Sequence, residues 1–192
     1  MSLTKYLLAA VFAGAALPAV AAPDNYTVDP MHTYPSLEFS HMGLSVWRGK
    51  FNKTSGKISL DRAAKSGTVE VTIDVSSINF GLAAMDEKAR SDDFFDTEKF
   101  PTATFKGKLK FAGDKPRTVD GQITIRGVTR PATLNINLFN CMPHPMLKKE
   151  VCGADAEGEL NWSEYGMKLS QYGQGDAGKV HLRIQVEAIK DE

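Results

Sequence analysis

The sequence predicts an all-β protein: a closed antiparallel barrel of about eight strands with one short helix. Three features of the chain point to it. From Tyr26 onward apolar residues recur with a period of two rather than 3.6. Turn-forming Gly, Asp, Ser and Pro separate the alternating runs at hairpin spacing. Only Ala83–Asp93 reads as helical. Antiparallel strands with one polar and one apolar face must close around something, and a closed barrel leaves no exposed edge.

The first 21 residues read as an export signal, not as fold. A basic region ends at Lys5, an apolar run spans Tyr6 to Leu17, Pro18 breaks it, and Ala19-Val20-Ala21 gives a small-x-small cleavage site. That apolar run is about 12 to 15 residues long, short of the roughly 20 needed to cross a bilayer. Residues 22–192 are then expected to form one domain, with no linker, repeat or low-complexity tract.

Its strands begin at Tyr26–Asp29 and continue through Leu37, Phe39 and His41; Trp47, Gly49 and Phe51; and Ile58 and Leu60, with Thr54-Ser55-Gly56 expected as a turn. The clearest alternation sets Val69, Val71, Ile73 and Val75 against Thr68, Glu70, Thr72 and Asp74. In the helical stretch Met85 and Ala89 mark one face. Asp86 and Glu87 sit early and Lys88 and Arg90 late, which suits the helix dipole. Alternation resumes with Ala103, Phe105, Gly107, Leu109 and Phe111 against lysines at 106, 108 and 110. After a turn at Gly113-Asp114-Lys115-Pro116 come Ile123 and Ile125, then Arg126-Gly127, then Leu134, Ile136 and Leu138. Leu160 and Trp162, and finally Val180, Leu182, Ile184 and Val186, complete the set. Glycines at 49, 107 and 158 fall on apolar faces, where they relieve curvature or leave room for a ligand. Eight strands enclose an interior that side chains fill or that holds one slender ligand.

The whole chain has 23 basic and 23 acidic residues; loss of Lys5 leaves 22 against 23, a net charge of −1. Such a balance argues against a nucleic-acid partner or a polybasic membrane patch, and no stable membrane insertion is expected. The two cysteines, Cys141 and Cys152, are an even count in an exported chain and read as a disulfide. A thiol nucleophile or a metal site are the alternatives, but there is no Cys-x-x-Cys and only His144 is near in sequence.

No credible catalytic constellation emerges. His32, His41, His144 and His181 are scattered and do not assemble three or four metal ligands, so neither a metal nor a cofactor is expected. Asp92, Asp93 and Asp96 surround Phe94-Phe95, but in a helix-to-strand connection they read as capping and turn residues. There is no nucleophile elbow, zinc-protease motif, phosphate loop or dinucleotide glycine motif. A binding module, not an enzyme, is the favoured class.

Four segments carry a family resemblance. Asp92-Asp-Phe-Phe-Asp-Thr-Glu-Lys-Phe-Pro-Thr-Ala-Thr-Phe105 resembles the signature of the bacterial YceI-like family. Val28-Asp-Pro-Met-His32 with Phe39-Ser-His41, and Val119-Asp-Gly-Gln-Ile-Thr-Ile-Arg-Gly-Val-Thr-Arg-Pro131, resemble its early strands and central hairpin. Asn161-Trp-Ser-Glu-Tyr-Gly-Met167 resembles a late motif that more often carries Arg where this chain has Trp162. The resemblance implies a lipocalin-like periplasmic barrel with a long apolar pocket for isoprenoid-type lipids, quinone-like or polyprenyl, or for other amphiphiles. The Cys141–Cys152 pairing resembles that of a subgroup with a Cys-bounded loop. Trp162 in place of Arg implies either a neutral ligand or compensation elsewhere in the site.

The expected pocket lining is Phe39, Trp47, Phe51, Ile73, Phe105, Ile125, Ile136, Leu138 and Trp162, with Tyr34 and His41 as polar contacts near one end. Phe94, Phe95 and Met167 are expected to cover an end of the barrel. The leading reading is a lipid carrier or scavenger; a solidly packed protective barrel and a lipid-modifying enzyme are the alternatives. Unassigned loops and barrel ends leave a homodimer open.

Overall fold

A computed structural model describes residues 22–168 and 178–192. The expected export signal lies outside the described residues.

Eleven strands form the sheet: β1 (Asp24–Val28), β2 (Tyr34–His41), β3 (Ser45–Phe51), β4 (Thr54–Asp61), β5 (Ser66–Asp74), β6 (Ile78–Asn79), β7 (Thr102–Ala112), β8 (Lys115–Ile125), β9 (Val128–Pro143), β10 (Glu150–Asn161) and β11 (Lys179–Lys190). Three pairs of these are single staves bent by a short interruption: β1 with β2, β3 with β4, and β5 with β6. Counted so, the fold is a closed eight-stranded antiparallel barrel in up-and-down order, sealed where β1 meets β11. The bends explain the local surprises. Thr54-Ser55-Gly56, read from sequence as a turn, begins β4, and the change of direction falls at Asn52-Lys53 instead.

Where β1 gives way to β2, the ladder along β11 would lose its partners at Glu187. Thr33, almost wholly buried, fills the gap. Its hydroxyl donates to the Glu187 carbonyl and accepts from the Glu187 amide, both at 3.1 Å. The Glu187 carbonyl also accepts from the Asp29 amide at 2.9 Å, so Thr33 supplies the acceptor that the Glu187 amide needs and a second donor to its carbonyl.

The helix α1 spans Ala83–Arg90, shorter than the expected Ala83–Asp93. Ser91 turns to extended backbone and its hydroxyl donates to the Lys88 carbonyl at 2.7 Å, so the chain leaves the helix three residues early. This frees Asp92–Phe95 to fold across the barrel. The up-and-down order puts α1, the β2–β3 turn, the β8–β9 turn and residues 162–168 at one end, called here the helix end. The β4–β5, β7–β8 and β9–β10 connections and residues 22–24 and 190–192 lie at the other, the disulfide end.

One inward assignment is corrected. Ile136 is buried, but Leu138 is 64% exposed and points outward. Asp155 of β10 faces Leu138 while Ala156 faces Ile136, which leaves Asn137 as an extra residue in β9. That bulge reverses the alternation, so Phe139 rather than Leu138 turns inward. Inward glycines are occupied by neighbours: a Cβ on Gly49 would lie 2.6 Å from the Phe80 ring, and one on Gly107 2.7 Å from a Val119 methyl. They serve curvature and packing more than ligand space.

Ile136→Ala is expected to destabilise by about 2 kcal/mol or more, whereas Leu138→Ala is expected to stay within about 0.5 kcal/mol. Urea unfolding of the two variants checks the reversed phase.

Candidate functional site

The inward positions of the staves enclose a cavity of about 160 Å³ along the barrel axis. It extends from Phe95 and Trp162 at the helix end to Tyr26, Leu109 and Cys152 at the disulfide end. Space exists because many inward residues are small: Ala103, Ala132, Ala154, Ala156 and Ala188 share the wall with larger aliphatics. An apolar cavity near 150 Å³ stays dry and takes up benzene-sized guests, so this one suits an apolar occupant. Of its lining residues only Tyr26, Thr33 and Ser36 carry a hydroxyl, and each hydroxyl is hydrogen-bonded to protein.

Of the residues expected from sequence, Phe51, Ile73, Phe105, Ile125, Ile136 and Trp162 lie on the cavity wall. Phe39, Tyr34, His41, Trp47 and Leu138 do not. Phe39 is one layer removed, its ring 5.0 Å from that of Trp162. His41 stacks on Trp47 at 4.3 Å, out on the β2–β3 hairpin beyond the wall. Tyr34 faces away, its hydroxyl donating to the Met31 carbonyl and its ring under the Lys50 ammonium. The error with Tyr34 is one of parity: Pro35 and Leu37 point inward, so Tyr34 cannot.

Residues missed from sequence include Tyr26, Phe139 and the β10 run. In β10, Cys152, Ala154, Ala156 and Leu160 alternate with Asp155, Glu157 and Glu159, a period of two hidden by small side chains.

An aromatic plug closes the helix end. Phe95 packs edge-on against Phe51 at 5.6 Å and against Trp162 at 5.9 Å, and Phe94 meets Trp162 at 6.3 Å. The acidic cluster ties this plug down. Asp93 accepts from Lys88 at 2.6 Å and from Lys168 at 3.0 Å, and both lysines hold its carboxyl below the usual range. Arg126 donates to the backbone carbonyls of Asp92 and Phe94. The Asp93 carboxylate is thus spent on structure.

The disulfide end is polar. Cys141 and Cys152 face each other across β9 and β10 and are joined as a disulfide. Arg62 Nη2 sits 3.2 and 3.4 Å from the two sulfurs, 2.8 Å from Glu150 and 3.1 Å from the Tyr26 hydroxyl. Tyr26 in turn donates to Glu150. Burial, reinforced by Glu150, pushes the Tyr26 phenol up to about 12. Burial also disfavours the Glu150 carboxylate, but hydrogen bonds from Tyr26 and Arg62 outweigh it and hold that carboxyl below its ordinary value. Among the described residues, Cys141, Glu150 and Cys152 form the one grouping of metal-ligating side chains, and its sulfurs are bonded to each other.

No described helix is long and apolar enough to cross a membrane. The outward positions of β5 and β7 carry Thr68, Glu70, Lys106 and Lys108, unlike the lipid-facing band of a membrane barrel.

A family model described as a YceI-like domain matches residues 26–188. A UPF0312 protein of Shewanella denitrificans is 33% identical over 191 residues, covering 97% of this chain and 98% of that one. A UPF0312 protein of Pseudomonas aeruginosa is 30% identical over 192 residues, with the same coverage. Among solved structures, the Campylobacter jejuni YceI protein is similar at 26% identity and a TM-score of 0.65, covering 80% of this chain and 91% of its own. Burkholderia cenocepacia BcnA is similar at 20% identity and a TM-score of 0.67, with coverage of 83% and 98%. A polyisoprenoid-binding domain from Saccharophagus degradans, implicated in plant cell wall breakdown, is similar at 16% identity and a TM-score of 0.62, with coverage of 86% and 98%.

The polar end sets a pH dependence of stability. Tyr26 titrates higher when folded than its ordinary 10.0, so its contribution is present below pH 10 and is lost as pH rises toward about 12. Glu150 titrates lower when folded, so its contribution is present above 4.5 and is lost as pH falls through its folded value. Denaturation midpoints measured against pH should fall less steeply between pH 10 and 12 in Tyr26→Phe than in the wild type. In Glu150→Gln they should fall less steeply on the acid side.

Proposed function

The chain belongs to the YceI-like family, and from that premise we propose that it is a non-catalytic periplasmic protein that binds an isoprenoid-type lipid in its barrel. The observation that carries the reading is a cavity running along the barrel axis with an almost wholly apolar wall. An elongated apolar space suits a chain better than a compact polar metabolite. Removing CH₂ groups from water yields about 0.8 kcal/mol each, so whatever part of a prenyl or acyl chain enters the cavity is held by burial alone, before ordering costs. The name of the Saccharophagus degradans domain, polyisoprenoid-binding, supports the same ligand class.

A neutral or weakly polar head group fits best. Trp162 is buried on the wall where related motifs more often carry Arg, and it places an indole there, not a cation. Arg62, at the opposite end, is already matched by Glu150 and Asp24. Catalysis finds no support in the site: His41 is stacked on Trp47, and Asp93 is paired with two lysines. On this reading the ligand is quinone-like or polyprenyl with a neutral head group, carried or stored after export through the N-terminal signal.

Native mass spectrometry of protein isolated gently from the periplasm, followed by organic extraction, tests the reading. A stoichiometric lipid mass is expected. A clean apo mass that does not shift when prenyl lipids are offered would leave a packed barrel without a ligand. Ala156→Phe, which projects a ring into the cavity from β10, is expected to abolish lipid retention with little loss of thermal stability, because the new side chain fills space already present. Unchanged retention in that variant would move the lipid out of the cavity.

A further inference from the structure

The β2–β3 hairpin extends past the barrel. β2 pairs with β11 only as far as Glu38 opposite His181, and β3 pairs with β6 only at Lys50 and Phe51. β2 and β3 nevertheless continue together to His41 opposite Ser45. The result is a two-stranded ribbon standing above the helix end.

Its tip is apolar and exposed. Met42 is 62%, Leu44 81% and Val46 47% exposed, and Leu82, two residues beyond Phe80, is exposed at the same end. The turn is tight: Met42 and Gly43 both have positive φ, and the Leu44 amide donates to the His41 carbonyl at 3.0 Å. A buried site for these side chains within the described residues is not offered, so the turn geometry holds them toward solvent. Below the tip lie Trp47 and His41, stacked, and then Phe39, which touches both Trp47 and the cavity-wall Trp162. An unbroken series of rings thus connects the exposed tip to the cavity.

Patch size and charge select the partner. The ribbon carries Arg48 and Lys50, with Lys53 at its base, and Glu38 on β2 is its acidic residue. Arg48 is balanced by Glu38 and Lys53 by Asp74, while Lys50 lies over the Tyr34 ring. A few exposed side chains at a hairpin tip fall short of the roughly 800 Å² per partner that a stable protein interface needs. Apolar side chains above an aromatic residue and flanking cations are the arrangement that suits an anionic lipid–water interface.

We propose that the β2–β3 ribbon is the surface by which this protein touches a lipid bilayer carrying anionic head groups. Met42 and Leu44 enter the acyl boundary, Trp47 and His41 lie at head-group level, and Lys50, the ribbon cation that is not paired with a carboxylate above, meets phosphates. The Phe39–Trp162 contact then marks where a lipid passes between bilayer and cavity, a step that rests on the proposed lipid-binding function. A second apolar patch, Met142, Met146 and Leu147, is also exposed, but it lies at the disulfide end, where Arg62, Glu150 and Tyr26 form a polar seal. It therefore provides a matched control.

The test is co-sedimentation of the mature protein with vesicles of equal parts phosphatidylcholine and phosphatidylglycerol, and with phosphatidylcholine alone. Wild-type protein and the Met146→Asp/Leu147→Asp control should sediment with the anionic vesicles. Met42→Asp/Leu44→Asp should bind them about tenfold more weakly or worse. Uptake of a fluorescent farnesyl probe from detergent is measured in parallel and should be equal in all three. Failure of that uptake in all three would sink the lipid-binding reading, while the vesicle result would still decide the ribbon's role. The ribbon proposal is overturned if wild type ignores anionic vesicles, if the tip variant binds as wild type does, or if the control loses binding equally. It is also overturned if light scattering shows a dimer that the tip substitutions convert to monomer, since a second copy would then cover the patch.

Discussion

Everything in this barrel depends on β11 satisfying two partners along one edge. On one side it pairs with β10 from Lys179 to Ile189; on the other, its early half pairs with β2 and its last residues with β1. Between those two partners Glu187 has no strand residue opposite it on that edge; the Thr33 hydroxyl accepts from its amide and donates to its carbonyl, which the Asp29 amide also reaches. The bend in the first stave is therefore tolerated at the seam. It lets the lower part of that stave close the disulfide end while the upper part rises into the projecting ribbon.

With the seam closed, charge is driven to the two ends and the outside, and the middle of the barrel is left to hydrocarbon. At the helix end Asp93 is held by Lys88 and Lys168, and its neighbours' carbonyls by Arg126, so a pair of phenylalanines is positioned by polar contacts that lie outside the cavity. At the disulfide end Arg62 gathers Glu150, Tyr26 and both sulfurs around one guanidinium nitrogen. The charges gathered at the two ends have partners near the surface, where desolvation is modest, and no charged residue among the described ones lines the apolar centre, where its cost would be severe. The segregation is what makes a continuous greasy wall compatible with a chain that is one-quarter charged.

How much of this could be read from the chain depended on whether the determinant was local. Period-two alternation is a local signal: it identified the barrel, most clearly in β5, β7 and β11, and among the wall residues it placed Ile73 and Phe105 in β5 and β7 and Ile136 in β9. The phase reversal at Asn137 is not local. It depends on β10 supplying one residue fewer than β9, so Leu138 was read inward and Phe139 was missed. Small residues hid the β10 face, because an Ala alternating with Glu contrasts too weakly to mark an apolar stripe. The polar end was misplaced for a related reason. His41 and Tyr34 stood out as polar residues near an early strand, whereas Arg62, Tyr26 and Glu150 come together only once β1, β4 and β10 are assembled. The family signature at Asp92–Phe105 pointed to the right segment. Its role in tying down a plug rests on Lys168 and Arg126, which are distant in sequence.

The hollow centre has a thermodynamic consequence that ties the disulfide to the cavity. Leaving 160 Å³ unfilled forfeits packing at about 24 cal/mol per Å³, or about 4 kcal/mol, on the scale set by core truncations. The Cys141–Cys152 bond, closing a short hairpin, restricts the unfolded chain by about 3 kcal/mol in the chain-entropy model. The two are similar in size and opposite in sign, so the cross-link nearly offsets the void. Cys152 also forms part of the cavity wall, and Arg62 bridges from the bond to Tyr26, so the staple acts at the end of the space it compensates. An occupant that fills the cavity then adds stability on top of this balance, by mass action on the folded state alone. A barrel braced in this way can remain folded while empty, which the proposed uptake and release of a lipid would require.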